Sequence, residues 1–178
     1  MDRPLRNIGL IGYRGAGKTT VARMLAAKLA WDWVDADVEV ELRAGKSIAA
    51  IFADDGEEAF RELEARVVAE LADRSATVIA FGGGAVLRED NRQAIARCGA
   101  VVWLQASVAE IAQRLAGDPT TAQRRPNLTN TGGRNEIERL LAVRTPFYRA
   151  CATLEVDTLQ KDPAGIAAEI ALALGLGG

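Results

Sequence analysis

The sequence predicts an α/β fold in which a parallel sheet is covered by helices on both faces. Three observations lead there. Short apolar runs alternate with amphipathic helical segments along the chain. The runs at 77–81 and 100–104 are rich in β-branched residues and lack polar alternation, the look of strands buried on two sides. A glycine-rich turn joins the first apolar run directly to the first helical segment. Strands linked by helices in this way make right-handed parallel crossovers.

Taken in order, Asn7–Ile11 reads as a buried strand ending at a glycine. Residues 19–29 follow with Val21, Leu25 and Leu29 at helical spacing. A very short strand is expected at 33–35, then short helices at 38–42 and 47–52 broken by Ala44-Gly45. Residues 57–71 form a strongly amphipathic pattern, with Phe60, Leu63, Val67, Val68 and Leu71 on one face. The strands at 77–81 and 100–104 enclose a helix at 89–97. Helices at 108–115 and 135–143 flank a polar stretch, 117–134, that is too long for an idle connection and reads as a lid. A last strand at 153–156 and a closing helix at 163–174 complete the reading of 1–178 as one domain.

Composition limits the function. The chain has 178 residues, 49% hydrophobic and 26% charged, with a net charge of −2. That balance suits a soluble domain and gives no basic surface for nucleic acid or membrane. Residues 1–7 lead into no apolar signal segment, and no apolar run has the roughly 18 residues a spanning helix needs. Cys98 and Cys151 have no metal-ligand spacing and read as reduced thiols of a cytoplasmic protein. The sequence contains no histidine. Any proton acceptor is therefore a carboxylate, lysine or tyrosine. No helix shows a second apolar stripe, so a monomer is expected.

The sharpest motif is Gly12-Tyr13-Arg14-Gly15-Ala16-Gly17-Lys18-Thr19, between a strand and a helix. This is the G-x-x-x-x-G-K-[ST] phosphate loop. Its glycines let successive N–H groups turn inward toward phosphate oxygens, and the helix that follows, with Thr20 in its first turn, adds its dipole. Lys18 would reach the β- and γ-phosphates and the Thr19 hydroxyl would hold Mg²⁺. The chain is expected to bind a nucleoside triphosphate.

Other candidates carry two readings each. Asp35 and Asp37, two residues apart at a strand end, place both carboxylates on one side of an extended backbone. One would meet the water shell of Mg²⁺ and the other an acceptor hydroxyl; alternatively Asp37 caps the next helix. Arg61 and Glu64 make either a solvated ion pair or a clamp on a substrate carboxylate. Gly82-Gly83-Gly84 follows a buried strand, where ligands sit in open α/β sheets, and either lets backbone N–H groups approach one or forms a plain flexible turn, for which one glycine would usually suffice. Arg124-Arg125-Pro126 lies in the lid, where an arginine could swing over phosphates or the two form a plain surface pair, the better reading of the pair by itself. Arg144 stands just after an expected helix end, either exposed near the helix dipole or functional.

Together these motifs resemble the shikimate kinase family from Asn7 to about Ile170. The set comprises the phosphate loop, Asp35-Ala36-Asp37, the run from Gly56 through Phe60-Arg61 to Glu64, and Gly82-Gly83-Gly84-Ala85-Val86. It continues with Arg125-Pro126-Asn127-Leu128-Thr129, Arg144-Thr145-Pro146-Phe147-Tyr148 and Val156-Asp157-Thr158. The resemblance implies a P-loop NTPase-type three-layer fold with five parallel strands in the order 2-3-1-4-5. It also implies a shikimate-binding segment at about 35–64 and a lid at about 117–134.

The implied reaction is transfer of the γ-phosphoryl group of ATP to the 3-hydroxyl of shikimate, giving shikimate 3-phosphate and ADP in aromatic amino-acid biosynthesis. On the same basis Asp37 would bind the acceptor hydroxyls and act as base, and Asp35 would help organise Mg²⁺ with Thr19. Arg61 and Arg144 would hold the shikimate carboxylate beside Gly83 and Gly84. Arg125 would close over the nucleotide. Where many family members set an arginine against adenine, this chain has Gln160-Lys161, which makes Lys161 the candidate there. The rivals are a kinase of the same fold acting on gluconate or a nucleotide, and a sensor that binds shikimate without turnover.

Overall fold

A computed structural model describes residues 5–118 and 133–176. Five strands form one parallel sheet: β1 (Asn7–Ile11), β2 (Asp32–Asp35), β3 (Thr77–Ala80), β4 (Ala100–Gln105) and β5 (Leu154–Asp157). Their order is β2-β3-β1-β4-β5, as the family resemblance implies.

Side chains alternate across this sheet with the period of two that a strand imposes. Ile8, Leu10, Val102 and Leu104 point into one apolar layer, which Val21 and Leu25 of the Lys18–Leu29 helix and Ile170 of the Pro163–Ala173 helix complete. Ile11, Ile79, Val101 and Trp103 point into the other, against Phe60 and Val67 of Gly56–Ala72 and Tyr148 of Gly133–Cys151. The uninterrupted apolar strands of the sequence are thus covered on both faces.

One helix departs from expectation. The sequence suggests an end near Val143, before Thr145-Pro146, yet the helix runs unbroken from Gly133 to Cys151. Pro146 has no N–H for the carbonyl four residues back, at a cost of about 3 kcal/mol in a helix interior. Immediately before the proline the Thr145 hydroxyl donates to Leu141 O, one turn back, at 2.7 Å. Beyond the proline Tyr148 is fully buried, and a large apolar side chain contributes about 1.5–3 kcal/mol on burial. Packing carries the helix through the proline. As a result Arg144 lies inside the helix and is buried, neither past its end nor exposed.

Candidate active site

The strand order reverses direction at β1, which has β3 on one side and β4 on the other. Ligands of open α/β sheets bind at such a point, beyond the carboxyl ends of the strands. Register aligns Leu10 of β1 and Asp35 of β2 with the same residue, Ala80 of β3. The phosphate loop, the triple glycine and the Asp35 turn therefore begin side by side.

Gly12 opens the phosphate loop at φ 143°, and a Cβ there would stand 2.6 Å from Leu104 O on β4. Only glycine fits that approach. The loop ends at Gly17, which precedes Lys18–Leu29 without a side-chain cap, so the first helical N–H groups remain available to an anion. The Lys18 Nζ donates to Gly12 O at 2.7 Å and Tyr13 O at 2.9 Å. A buried ammonium must be hydrogen-bonded, and these carbonyls hold it on the loop, at the edge of the space a phosphate would take.

Thr19 Oγ1 donates to Asp35 Oδ2 at 2.5 Å. The other oxygen of Asp35 accepts from the N–H groups of Asp37 (2.9 Å) and Val38 (3.3 Å). Asp35 is thus the cap of the Ala36–Ala44 helix. This corrects the capping reading of Asp37 and the strand placement behind the other: it is not the cap, and it sits on the first helical turn, not on extended strand. Asp37 lines a cavity of about 250 Å³ with Arg14, Lys18, Thr19, Thr20, Asp35 and Gly83.

Arg61 and Arg144 arrive from different helices on the same triple glycine. A Cβ on Gly84 would meet Arg61 Nη1 at 3.0 Å, and one on Gly83 would meet Arg144 Nη1 at 3.4 Å. Arg61 is braced by the buried Glu64 at 2.9 Å and by Glu57 at 3.4 Å. Arg144 is 4% exposed and lies over the Tyr13 ring, 5.3 Å from its centroid. Its Nε has no hydrogen-bond partner, and it forms no ion pair with the described residues. A buried guanidinium without a carboxylate is costly. Burial raises the Tyr13 phenol above its ordinary pKa, against the opposing pull of Arg14 and Arg144.

The sequence model described as Shikimate kinase matches residues 14–174. The chain is 46% identical over 165 residues to the shikimate kinase of Rhodopirellula baltica, covering 93% of this chain and 88% of that one. The chain belongs to the shikimate kinase family. Its identity to the shikimate kinase of Pseudomonas syringae pv. tomato is 41% over 166 residues, 93% of this chain and 94% of the relative. The structure of shikimate kinase from Acinetobacter baumannii in complex with shikimate superposes with a TM-score of 0.89 at 38% identity, covering 97% of this chain and 94% of that one. A sugar kinase structure from Janibacter at 18% identity and a TM-score of 0.59 shares the fold alone.

Two expectations from family resemblance stand apart from this geometry. Lys161 is tied by its Nζ to Glu169 Oε2 at 2.6 Å and does not line the cavity. Arg125 lies outside the described residues. Three contributors escaped the sequence reading. Arg14 occupies a free position of the phosphate-loop pattern, yet lines the cavity and pairs with buried Glu136 at 3.5 Å. Arg114 donates to Gly15 O at 3.2 Å from the helix Val108–Ala116. Tyr148 donates to Gly83 O at 2.6 Å; its place four residues after Arg144, on the same helical face, was the available signal. No helix among the described residues is long and apolar enough to cross a membrane.

Proposed function

We propose that this member of the shikimate kinase family transfers the γ-phosphoryl group of ATP to the 3-hydroxyl of shikimate, giving shikimate 3-phosphate and ADP. The observation that carries the acceptor assignment is Arg144, a buried guanidinium that no carboxylate among the described residues neutralises. With Arg61 on the other side of Gly83-Gly84, it suits a small acceptor bearing a carboxylate, because charge-assisted bonds from arginine forks are strong and directional. A gluconate or nucleotide acceptor gives less reason for two arginines beside three glycines.

Phosphate oxygens would lie on the loop from Gly12 through Gly15, Ala16 and Gly17 to Thr19 and Thr20. Lys18 would turn part of its hydrogen bonding from the loop carbonyls to the transferring group. Asp37 lines the same cavity as Lys18 and would accept the proton of the attacking hydroxyl. With no histidine in the chain, a carboxylate is the natural base. Lid residue Arg125, in the segment at about 117–134, is assigned to the phosphates from sequence resemblance, and Lys161 to the nucleotide on the same basis.

Mg²⁺ fits the oxygen donors present. It keeps most of its waters and takes one or two protein oxygens beside phosphate, and Thr19 and Asp35 offer a hydroxyl and a carboxylate in contact. The described residues hold no cluster of three or more metal-ligating side chains, as suits an ion that arrives with the nucleotide. Bound there, the ion would neutralise charge on the β- and γ-phosphates.

The test is ADP release from Mg-ATP with and without shikimate, with quinate and gluconate as controls. A shikimate-dependent rate of about 1–100 s⁻¹ is expected. Nucleotide-binding protein that releases no ADP above background with shikimate overturns the reading and favours the sensor.

A further inference from the structure

Three polar side chains are buried on the helix Gly133–Cys151: Glu136, Arg144 and Tyr148. The reaction above makes no use of the third. Tyr148 is fully buried, and its ring lies 5.7 Å from that of Trp103. Its hydroxyl donates to Gly83 O at 2.6 Å, across 65 residues of sequence. A buried phenol needs an acceptor, and this one takes the carbonyl of the middle glycine between the two arginines.

That choice has a geometric consequence. The peptide after Gly83 is trans, since there is no cis peptide bond among the described residues. In a trans unit the C=O and the following N–H point to opposite sides. Holding Gly83 O toward the helix therefore turns the Gly84 N–H away from it. Gly83 and Gly84 are the central residues of a turn closed by Ala85 N to Gly82 O at 3.0 Å. Neither glycine has a side chain to restrain the peptide, and glycine backbone is otherwise loose. Among the described residues neither the Gly83 nor the Gly84 N–H donates a hydrogen bond.

We propose that Tyr148 is a positioning residue for the acceptor: through Gly83 O it fixes the Gly83–Gly84 peptide so that the Gly84 N–H is presented to the acceptor carboxylate between Arg61 and Arg144. The proposal rests on the acceptor assignment made above. One helix then supplies both a cation for that carboxylate and, four residues later, the anchor for its backbone donor. A tyrosine that merely fills the core predicts a different outcome, because its hydroxyl would affect stability and nothing selective to one substrate.

Tyr148→Phe removes the hydroxyl and keeps the ring against Trp103. Steady-state kinetics, varying each substrate at saturation of the other, should show KM for shikimate raised about 10-fold, the scale of one charge-assisted bond. KM for ATP should be unchanged and kcat within about 3-fold. An unchanged KM for shikimate, or an equal loss for both substrates, overturns the proposal. Should the variant not fold, the wild-type Gly84 amide can be followed by ¹⁵N NMR. Saturating shikimate should move that resonance more than that of Gly82, and an unmoved Gly84 resonance overturns the proposal as well. Wild-type protein without shikimate-dependent turnover would instead sink the acceptor assignment, and this proposal with it.

Discussion

Arg14 of the phosphate loop and Glu136 of the helix Gly133–Cys151 form an ion pair at 3.5 Å, with the Glu136 side chain only 1% exposed. The pair fastens the loop to the helix that also carries Arg144. Removing one partner of a buried pair leaves the other charge poorly compensated, at about 3–5 kcal/mol. Because Arg14 is 14% exposed, water offsets part of this, and Arg14→Ala is expected to cost about 2–3 kcal/mol in urea unfolding. A change below about 0.5 kcal/mol would mean that the pair does not fasten the loop.

Asp37 stands on the first turn of the Ala36–Ala44 helix and lines the cavity, while Asp35 does the capping. Substituting Asp37 therefore removes no cap. Asp37→Asn should lower kcat by about 10²–10⁴, the range for loss of a general base, with ATP affinity unchanged by calorimetric titration. Near-normal turnover in this variant would show that the proton leaves by another route.

The phosphate loop and the strands were legible because each is a local pattern with one physical reading. The sheet order came with the family resemblance and not from any local pattern. Asp37 was ambiguous because the two-residue spacing fits a strand end and a helix start equally well, and the capping bonds of Asp35 decide between them. Arg144 was misplaced because Thr145-Pro146 signals a helix end locally, whereas burial of Tyr148 beyond it is a tertiary effect. The Arg14–Glu136 and Tyr148–Gly83 contacts join residues 122 and 65 positions apart. Nothing local encodes them.

Tyr13 gives the stability an alkaline limit. Its phenol is raised above the ordinary value of 10.0, chiefly by burial. Below that value the group is protonated whether the chain is folded or not, and its contribution is fully present. As pH rises past it, the unfolded chain loses the proton first, so stability falls until the folded phenol also ionises. Tyr13→Phe removes this term. Urea midpoints measured from about pH 9 to 11 should decline less steeply in the variant. Equal slopes would mean that Tyr13 does not control the loss.

Arg144 sets stability against function. Its guanidinium is buried, and among the described residues the Tyr13 ring 5.3 Å away is its one charge-stabilising contact. A cation–π contact contributes about 0.5–2 kcal/mol, whereas taking a charge out of water costs several. Desolvation wins, so the free protein carries a net penalty at this position. Arg144→Met, of similar length and apolar, should therefore be more stable by about 1–2 kcal/mol. For a chain of this size that raises Tm by about 2–8 °C. The same variant should raise KM for shikimate at least about 100-fold, the scale of a lost bidentate charge pair, with KM for ATP unchanged. Calorimetry and kinetics on one preparation read both. A variant that is less stable than wild type would mean that the charge is already neutralised in the free protein. The chief support for a carboxylate-bearing acceptor would then be gone.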